Sequence, residues 1–467
     1  MSPAKPHTPR LAAGHTPGQT PDPAPRSTPG LTSGLTSDQS PDQSSEKTPG
    51  LAPEQISQHA PGPKPWRILA RFPHPEPQHP AHKARILPVF LPFAGCPQRC
   101  VFCDQAAQTG QAPEPLDALY HRLEALLSLP PAVDASSSGG PGESFNHPGK
   151  ADPSAAPGVT FDAAPDATPD ATLDGGRSER PGRHTAESPQ PAQELAFYGG
   201  TFTALPEPWP RRFMELAGRS LASGRLSRIR CSTRPDAVDP ARLDELKALG
   251  LSLVELGVQS FDDAALSASQ RGYDGQTARR ACRAVREAGL SLGIQLMPGL
   301  PGHTPAAFQA DVAQAAAFAP ELTRLYPCLV LAGTPLAERW RAGAYAPWDL
   351  ETTVEQLALA LPVLWAAGVP TARMGLAEQQ GLAVLAGPRH PALGQMARSA
   401  ALLAVVRQRL AELPREGMMQ ESPTILALPR RLQGEVLGHK NALAPHYAAL
   451  GLSLHFWDEA DLALCAQ

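Results

Sequence analysis

From Ile86 onward, short apolar runs alternate with stretches of helical spacing, a pattern that predicts repeated β/α units around a parallel sheet. The expected strands are Ile86–Phe93, Glu194–Tyr198, Arg228–Ser232, Ser252–Val258, Ser291–Met297 and Thr323–Val330. Between them the helical spacing predicts Leu116–Leu127, Pro208–Ala222, Pro240–Leu249, Gln276–Ala288, Pro305–Phe318 and Thr353–Trp365. Six such units are too few to close an eight-stranded barrel, so the expected fold class is α/β, a partial (β/α)6 TIM-like barrel. A different texture begins near Thr371. The strand-like Thr371–Leu376, a long helix Ala392–Leu413, an apolar Thr424–Leu428, a helix near Asn441–Leu450 and the run Leu452–Trp457 predict a small C-terminal α+β extension over 371–467.

Two stretches escape this patterning. Residues 1–83 are dominated by Pro, Ser, Thr, Gly and Gln and cannot bury enough apolar surface to offset the entropy of ordering, which predicts a disordered Pro-rich tail. The same composition returns over 131–193, with the near-repeat Ala164-Pro165-Asp166-Ala167-Thr168-Pro169-Asp170-Ala171, and predicts a disordered insertion within a barrel domain of 84–370. The 54 prolines and 39 glycines in 467 residues fit that division, being too many for a compact chain. A net charge of -4 gives no global attraction to nucleic acid or to an anionic membrane. No apolar run is long enough to span a bilayer and Met1–Arg10 has no signal-peptide core, so a cytoplasmic protein without a membrane partner is expected.

Candidate chemistry sits where the first strand ends. Of seven cysteines, Cys96, Cys100 and Cys103 crowd into one loop, spaced C-x3-C-x2-C, while Cys231, Cys282, Cys328 and Cys465 are scattered, unlike a disulfide framework. Such spacing lets one loop wrap a compact metal centre. Iron-sulfur clusters of electron-transfer proteins use four thiolates; this loop offers three, which would leave one iron open to a ligand. The alternative is a zinc site completed by a histidine, for which His74, His79 and His82 stand upstream. Cys231, Cys282 and Cys328 lie in strand or helix patterns and read as small buried hydrophobes.

At this loop the sequence resembles the radical S-adenosylmethionine superfamily, whose hallmark is C-x3-C-x-aromatic-C, with Phe102 as the aromatic. Further matches come in order: Phe197-Tyr198-Gly199-Gly200-Thr201-Phe202, Ser232-Thr233-Arg234-Pro235-Asp236, Glu255-Leu256-Gly257-Val258-Gln259-Ser260-Phe261-Asp262, and Met297-Pro298-Gly299-Leu300-Pro301-Gly302. Arg271-Gly272-Tyr273 stands where relatives carry Arg-Gly-His. The likeness is strongest to the radical domain of the catalytic subunit of Elongator and to shorter bacterial proteins lacking its acetyltransferase domain.

The resemblance implies a [4Fe-4S] cluster on Cys96, Cys100 and Cys103, with S-adenosyl-L-methionine at the open iron. It also implies that Gly199 and Gly200 bind the methionine amino group, Gln259 the ribose and Arg271 the methionine carboxylate, with Phe102, Ser232 and Gln295 as further cofactor-side positions. An oxygen-independent coproporphyrinogen-oxidase-like activity is the alternative reading, and it loses support because relatives that make haem precursors carry acids where this chain has Ser232 and Gln295, and an extra cysteine at Gln105. A non-catalytic iron-sulfur or zinc module binding RNA or protein is another. Reductive cleavage of the cofactor to start hydrogen abstraction is the implied activity. A tRNA base stands first as substrate, and a flavodoxin or ferredoxin as electron donor. Tyr326-Pro327 and Gly333-Thr334-Pro335 are candidates for the substrate side, and Arg430, Arg431, His439 and Lys440 for contact with RNA phosphates.

Overall fold

The computed structural model describes residues 66–77, 84–128, 193–376, 382–413 and 424–466. In chain order come β1 (Arg67–Phe72), β2 (Arg85–Phe90), α1 (Gln105–Thr109), α2 (Leu116–Ser128), β3 (Gln193–Tyr198) and α3 (Trp209–Ala222). Next are β4 (Leu226–Thr233), α4 (Pro240–Ala248), β5 (Leu251–Gln259), α5 (Asp263–Ala268), α6 (Gly275–Glu287), β6 (Ser291–Leu296), α7 (Pro305–Ala317) and β7 (Leu322–Leu325). The short β8 (Val330–Leu331) leads to α8 (Pro335–Arg341), α9 (Leu350–Ala366) and β9 (Thr371–Met374).

Helix starts are written locally. Asp239, Asp262, Asp274, Thr304, Thr334 and Asp349 each accept a hydrogen bond from the backbone N–H three residues on, satisfying a donor that the first turn leaves free.

Seven strands, β2-β3-β4-β5-β6-β7-β9, make one parallel sheet in sequence order, and β2 and β9 are not paired to each other. This is the expected partial barrel, one strand longer. Thr371–Met374, expected in the extension, belongs to the barrel because Thr323 N donates to Pro370 O and the hydroxyls of Thr323 and Thr371 lie 3.2 Å apart. The expected strand Thr323–Val330 breaks in two at Pro327, which has no N–H for a ladder; β8 pairs instead with β10 (Val384–Ala386). Strand residues of one parity, such as Leu195, Phe197, Ile229, Cys231, Val254 and Leu256, are buried with Phe213, Leu246, Cys282 and Phe308 of the helices. The other parity lines the barrel interior and is polar: Glu194, Tyr198, Arg230, Glu255, Gln259, Gln295 and Arg324. A parallel strand covered on both faces normally reads as a continuous apolar run; polar residues pointing inward mark the interior as the place of chemistry.

The C-terminal extension holds α10 (Leu393–Glu412), β11 (Ile425–Pro429), α11 (Gln433–Leu437), α12 (Ala444–Ala449), β12 (Ser453–Trp457) and β13 (Leu462–Ala466). Its sheet has the order β1-β13-β11-β12. Leu402, Val406, Leu426, Leu428, Val436, Tyr447, Leu462 and Leu464 form its core. β1 corrects the expectation of a tail running to residue 83. Arg67–Phe72 is ordered because β13 offers it an edge, in antiparallel register from Arg67↔Ala466 to Phe72↔Leu462, which buries Phe72. Just beyond it, His74 Nε2 meets Glu435 Oε1 at 3.1 Å, and Glu76 pairs with Arg398 at 2.8 Å. The rest of the expected tail lies outside the described residues, as does the expected insertion except Gln193, which opens β3. Among the described residues no helix is long and apolar enough to cross a membrane.

Phe72→Ala should therefore cost about 3–5 kcal/mol of stability, the usual loss for an aromatic removed from a core. Urea denaturation measures it; an unchanged midpoint would return residues 66–77 to the tail.

Candidate active site

The cysteine loop leaves β2 at the C-terminal edge of the sheet and is pinned there by backbone. Leu91 N donates to Tyr198 O at 2.8 Å, Thr201 N to Ala94 O at 2.7 Å, and Val101 N to Ser269 O at 3.3 Å. This close packing requires glycine at two positions. A Cβ on Gly95 (φ +73°) would stand 2.3 Å from Thr201 O, and one on Gly200 (φ +55°) 2.4 Å from Ala94 O. Gln105 fastens the two segments further: its Oε1 accepts from Gly200 N at 2.9 Å and from Phe93 N. Sequence reasoning noted Gln105 only as the place of a missing cysteine; nothing in its context signalled this joining role.

The three thiols face a cationic wall. Cys100 is buried and receives Arg271 Nη1 at 2.9 Å, with Arg234 Nη1 at 3.6 Å. Cys96 Sγ lies 3.3 Å from Thr201 Oγ1. Burial, reinforced by Cys100 and Cys96, pushes the Cys103 thiol up to about 12. Burial also raises Cys96, against the opposing pull of the Thr201 hydroxyl and Arg234. Binding of a metal centre must therefore displace protons from these sulfurs. Phe102 packs with Met297, Leu300, Cys328, Val330 and Leu336 in an apolar cluster that also takes in Cys100 and underlies the loop.

Arg271 is the other half of this wall. It is 5% exposed, and besides Cys100 it bonds the Gly257 carbonyl at 2.6 Å and the Tyr273 hydroxyl at 2.8 Å. Arg234 holds it in place: the Arg234 guanidinium bonds Asp236 bidentately, at 2.9 and 2.8 Å, and also donates to the Arg271 carbonyl. The Ser-Thr-Arg-Pro-Asp segment gave Arg234 no role in the sequence; the fold does.

Gln259 closes β5 with a positive φ of 66°, and its Oε1 accepts from Gln295 Nε2 at 3.2 Å on the neighbouring strand. Ser232 is half-buried on the same inward parity as Arg230. Thus Gly199, Gly200, Gln259, Gln295 and Arg271 come together with the thiol loop on one rim, where parallel barrels build their sites. Below the rim lies a charged network that sequence reasoning missed. Glu255 pairs with Arg324 at 2.7 Å and faces Arg230 Nε at 3.3 Å, too poorly aligned for a hydrogen bond; Arg230 also meets Glu194 at 3.3 Å. Both arginines donate to the Tyr198 hydroxyl, Arg324 at 3.0 Å, and Arg324 reaches the Tyr326 hydroxyl at 3.2 Å. Burial pushes the Glu255 carboxyl up, but Arg324 and Arg230 outweigh it and hold it below its ordinary value. Burial and Glu255 raise Tyr198 to about 12.

The donor set decides which metal group suits the loop. Among the described residues no three His, Cys, Asp or Glu side chains gather tightly enough to hold a single metal ion. A zinc ion bonds each thiolate at about 2.3 Å and draws its sulfurs into a knot, whereas a cubane takes each thiolate on a separate iron and needs more room. Of the histidines upstream, His74 is engaged by Glu435 and by the Trp365 ring, with centroids 5.9 Å apart, while His79 and His82 lie outside the described residues. Three soft sulfur donors beside buried guanidiniums suit an anionic iron-sulfur cluster.

The model of the radical SAM superfamily matches residues 184–315, and that of the Radical_SAM C-terminal domain matches 320–402. A tRNA uridine(34) acetyltransferase of Methanocaldococcus infernus is 29% identical over 191 residues, 37% of this chain and 36% of that protein. One from Dehalococcoides mccartyi is 36% identical over 119 residues, 25% and 26% of the two chains. Elongator complex protein 3 of Mus musculus is 29% identical over 196 residues, 36% and 35%. The match thus spans between a quarter and about a third of these relatives' length. The solved structure of archaeal Elp3 from Methanocaldococcus infernus aligns with a TM-score of 0.41 at 24% identity, covering 48% of this chain and 55% of that one.

The buried network yields a test independent of any cofactor. Glu255→Gln leaves Arg230 and Arg324 short of a carboxylate and should cost about 3–5 kcal/mol at neutral pH. Because the folded carboxyl titrates below its ordinary 4.5, its contribution is complete above that pH and drains away as acid carries the solution down through the folded value. The deficit of the variant should therefore shrink in acid; a constant deficit in urea titrations from neutral to acid pH would contradict the network.

Proposed function

Since the chain belongs to the radical SAM superfamily, whose members hold a [4Fe-4S] cluster and S-adenosyl-L-methionine, we propose that Cys96, Cys100 and Cys103 ligate that cluster and that the enzyme acts on tRNA. The contact of Arg271 Nη1 with Cys100 Sγ at 2.9 Å carries the site assignment, since it puts a buried permanent cation against the central thiol. Held there, a cluster reduced by an external donor would supply one-electron reductive cleavage of the sulfonium cofactor, the chemistry that starts hydrogen abstraction.

The chain's own residues do the rest. Gly199 and Gly200 turn with positive φ of 69° and 55°, exposing backbone to the cofactor's amino group. Arg271 supplies the charge that a carboxylate or thiolate needs in a site from which water is excluded. Gln259 presents its amide to the ribose and is held by Gln295, which stands where relatives that make haem precursors carry an acid. Phe102 closes the floor of the loop. The Arg230–Glu255–Arg324 network and the Tyr198 and Tyr326 hydroxyls lie where the substrate would enter the barrel. A tRNA substrate is supported by the relatives that are tRNA uridine(34) acetyltransferases, and the electron donor is expected to be a flavodoxin or ferredoxin.

Anaerobic reconstitution with iron and sulfide, then reduction with dithionite in the presence of S-adenosylmethionine, should release 5′-deoxyadenosine, and bulk tRNA should accelerate it. Cys100→Ala should lose both iron and cleavage, while Gln259→Ala should keep iron and raise the apparent cofactor KM roughly tenfold, the worth of about one hydrogen bond. Full iron and cleavage in Cys100→Ala would overturn the ligand assignment.

A further inference from the structure

The family models end at residue 402, and the module beyond it has an order of its own. β11 runs into the single-turn Arg430–Leu432 and α11, then the loop Gly438-His439-Lys440-Asn441, then α12 and β12. β11 and β12 pair in parallel from Ile425↔Ser453 to Pro429↔Trp457, and β13 flanks β11 antiparallel. Both helices lie on one face of the sheet, through Leu432, Val436 and Tyr447 on Leu426 and Leu428. A β-α-loop-α-β unit with a glycine-led four-residue loop between its helices is the arrangement by which KH domains clamp the backbone of about four nucleotides.

The loop's conformation and charge agree with that use. Gly438, Lys440 and Asn441 have φ of 73°, 53° and 60°. Asparagine at the last position replaces the usual second glycine, and it tolerates the left-handed region best among common non-glycine residues. The stretch 438–446 contains His439, Lys440 and His446 and no acid. Lys440 is exposed and makes no ion pair among the described residues.

A second segment joins from the barrel side. The His390 and His439 rings meet edge to face, with centroids 5.0 Å apart, and Arg389 beside them is exposed. His390 and Arg389 also line a small hollow of about 30 Å³, opposite Pro327 and Gly375 at the C-terminal ends of β7 and β9. The loop thus neighbours, through His390, the side of the barrel on which β7 and β9 end. The structure divides the four cations that the sequence grouped for RNA contact. Arg430 turns to Asp458 at 3.1 Å and Arg431 to the Ala460 carbonyl at 3.0 Å, leaving His439 and Lys440 with Arg389 and His390.

We propose that residues 425–457 are a KH-like module that holds single-stranded RNA through the Gly438–Asn441 loop and Lys440, with Arg389 and His390 beside it. The choice of RNA over DNA rests on the tRNA reading above; the clamp itself does not.

Fluorescence anisotropy of the full chain with a labelled mixed-sequence 20-nucleotide RNA tests it. We expect single-stranded RNA to bind at least tenfold more tightly than the same sequence as a duplex. The double variant His439→Asp with Lys440→Asp should weaken binding at least tenfold, with an unchanged thermal midpoint and unchanged 5′-deoxyadenosine release in the absence of RNA. Lys440→Ala, the milder change, should reduce the salt slope by about 0.7, one phosphate contact on a single strand. Asn441→Gly, which restores the second glycine, should bind at least as well as the parent. Equal binding by the parent and the aspartate variant, or preference for the duplex, would overturn the clamp. Binding of single-stranded DNA with no affinity for RNA would overturn the RNA assignment. RNA binding without cofactor cleavage would refute the enzymatic reading and leave the clamp standing.

Discussion

A guanidinium cannot shed its charge, and Arg271 keeps one almost entirely out of water. Its hydrogen bonds run to a thiol, a carbonyl and a phenol hydroxyl, none of them a carboxylate. Burying such a cation is costly unless negative charge stands against it. Thiolates on an iron-sulfur cluster, and the carboxylate of an amino-acid cofactor, are negative charge of that kind. Much of the rim is arranged to meet this requirement. Arg234 is spent on orienting Arg271 through its carbonyl, Asp236 holds Arg234, and the Cys96–Cys103 loop is fastened to the glycine turn by Gln105 so that Cys100 meets the cation.

The barrel interior is governed by charge in the same way. An open barrel of seven strands needs an interior that stays ordered without the layered aliphatic packing of a closed one. Here the inward positions alternate in sign, Glu194 on β3, Arg230 on β4 and Glu255 on β5, and Glu255 reaches across neutral β6 to Arg324 on β7. Tyr198 ties both arginines to the residue immediately before Gly199, so order in the network is passed to the turn that meets the thiol loop. An apolar interior would fill the same space but could not hold a polar substrate, which makes specificity a better reason for these charges than stability.

What the sequence made legible was whatever depends on local patterning. Strand and helix positions in the barrel track the alternation of apolar residues, and the spacing of Cys96, Cys100 and Cys103 together with Gly199-Gly200 located the rim. What it hid depends on partners far along the chain. β1 looks like tail because its short apolar run, Ile68-Leu69-Ala70 with Phe72, stands between Pro-rich stretches; it becomes a strand only when β13, nearly four hundred residues later, offers an edge. Thr371–Met374 reads as the start of the extension because nothing local says that Thr323 will pair with Thr371. Arg324 and Gln105 carry no motif that could mark them, Glu255 stands in a matching stretch that gave it no role, and what all three do arises from contacts made across the chain.

Segment 66–77 also sets the relation between the two chemistries. His74 touches Glu435 of α11 and the Trp365 ring of α9, and Glu76 holds Arg398 of α10. A short strap thereby ties the helix leading into the Gly438 loop to the outer wall of the barrel. α10 bridges the two cores as well, with Leu393, Ala397 and Ala401 in that of the barrel and Leu402 and Val406 in that of the extension. With helix and strap both packed, the Gly438 loop is held to the barrel by burial and ion pairs at several points rather than by one connection.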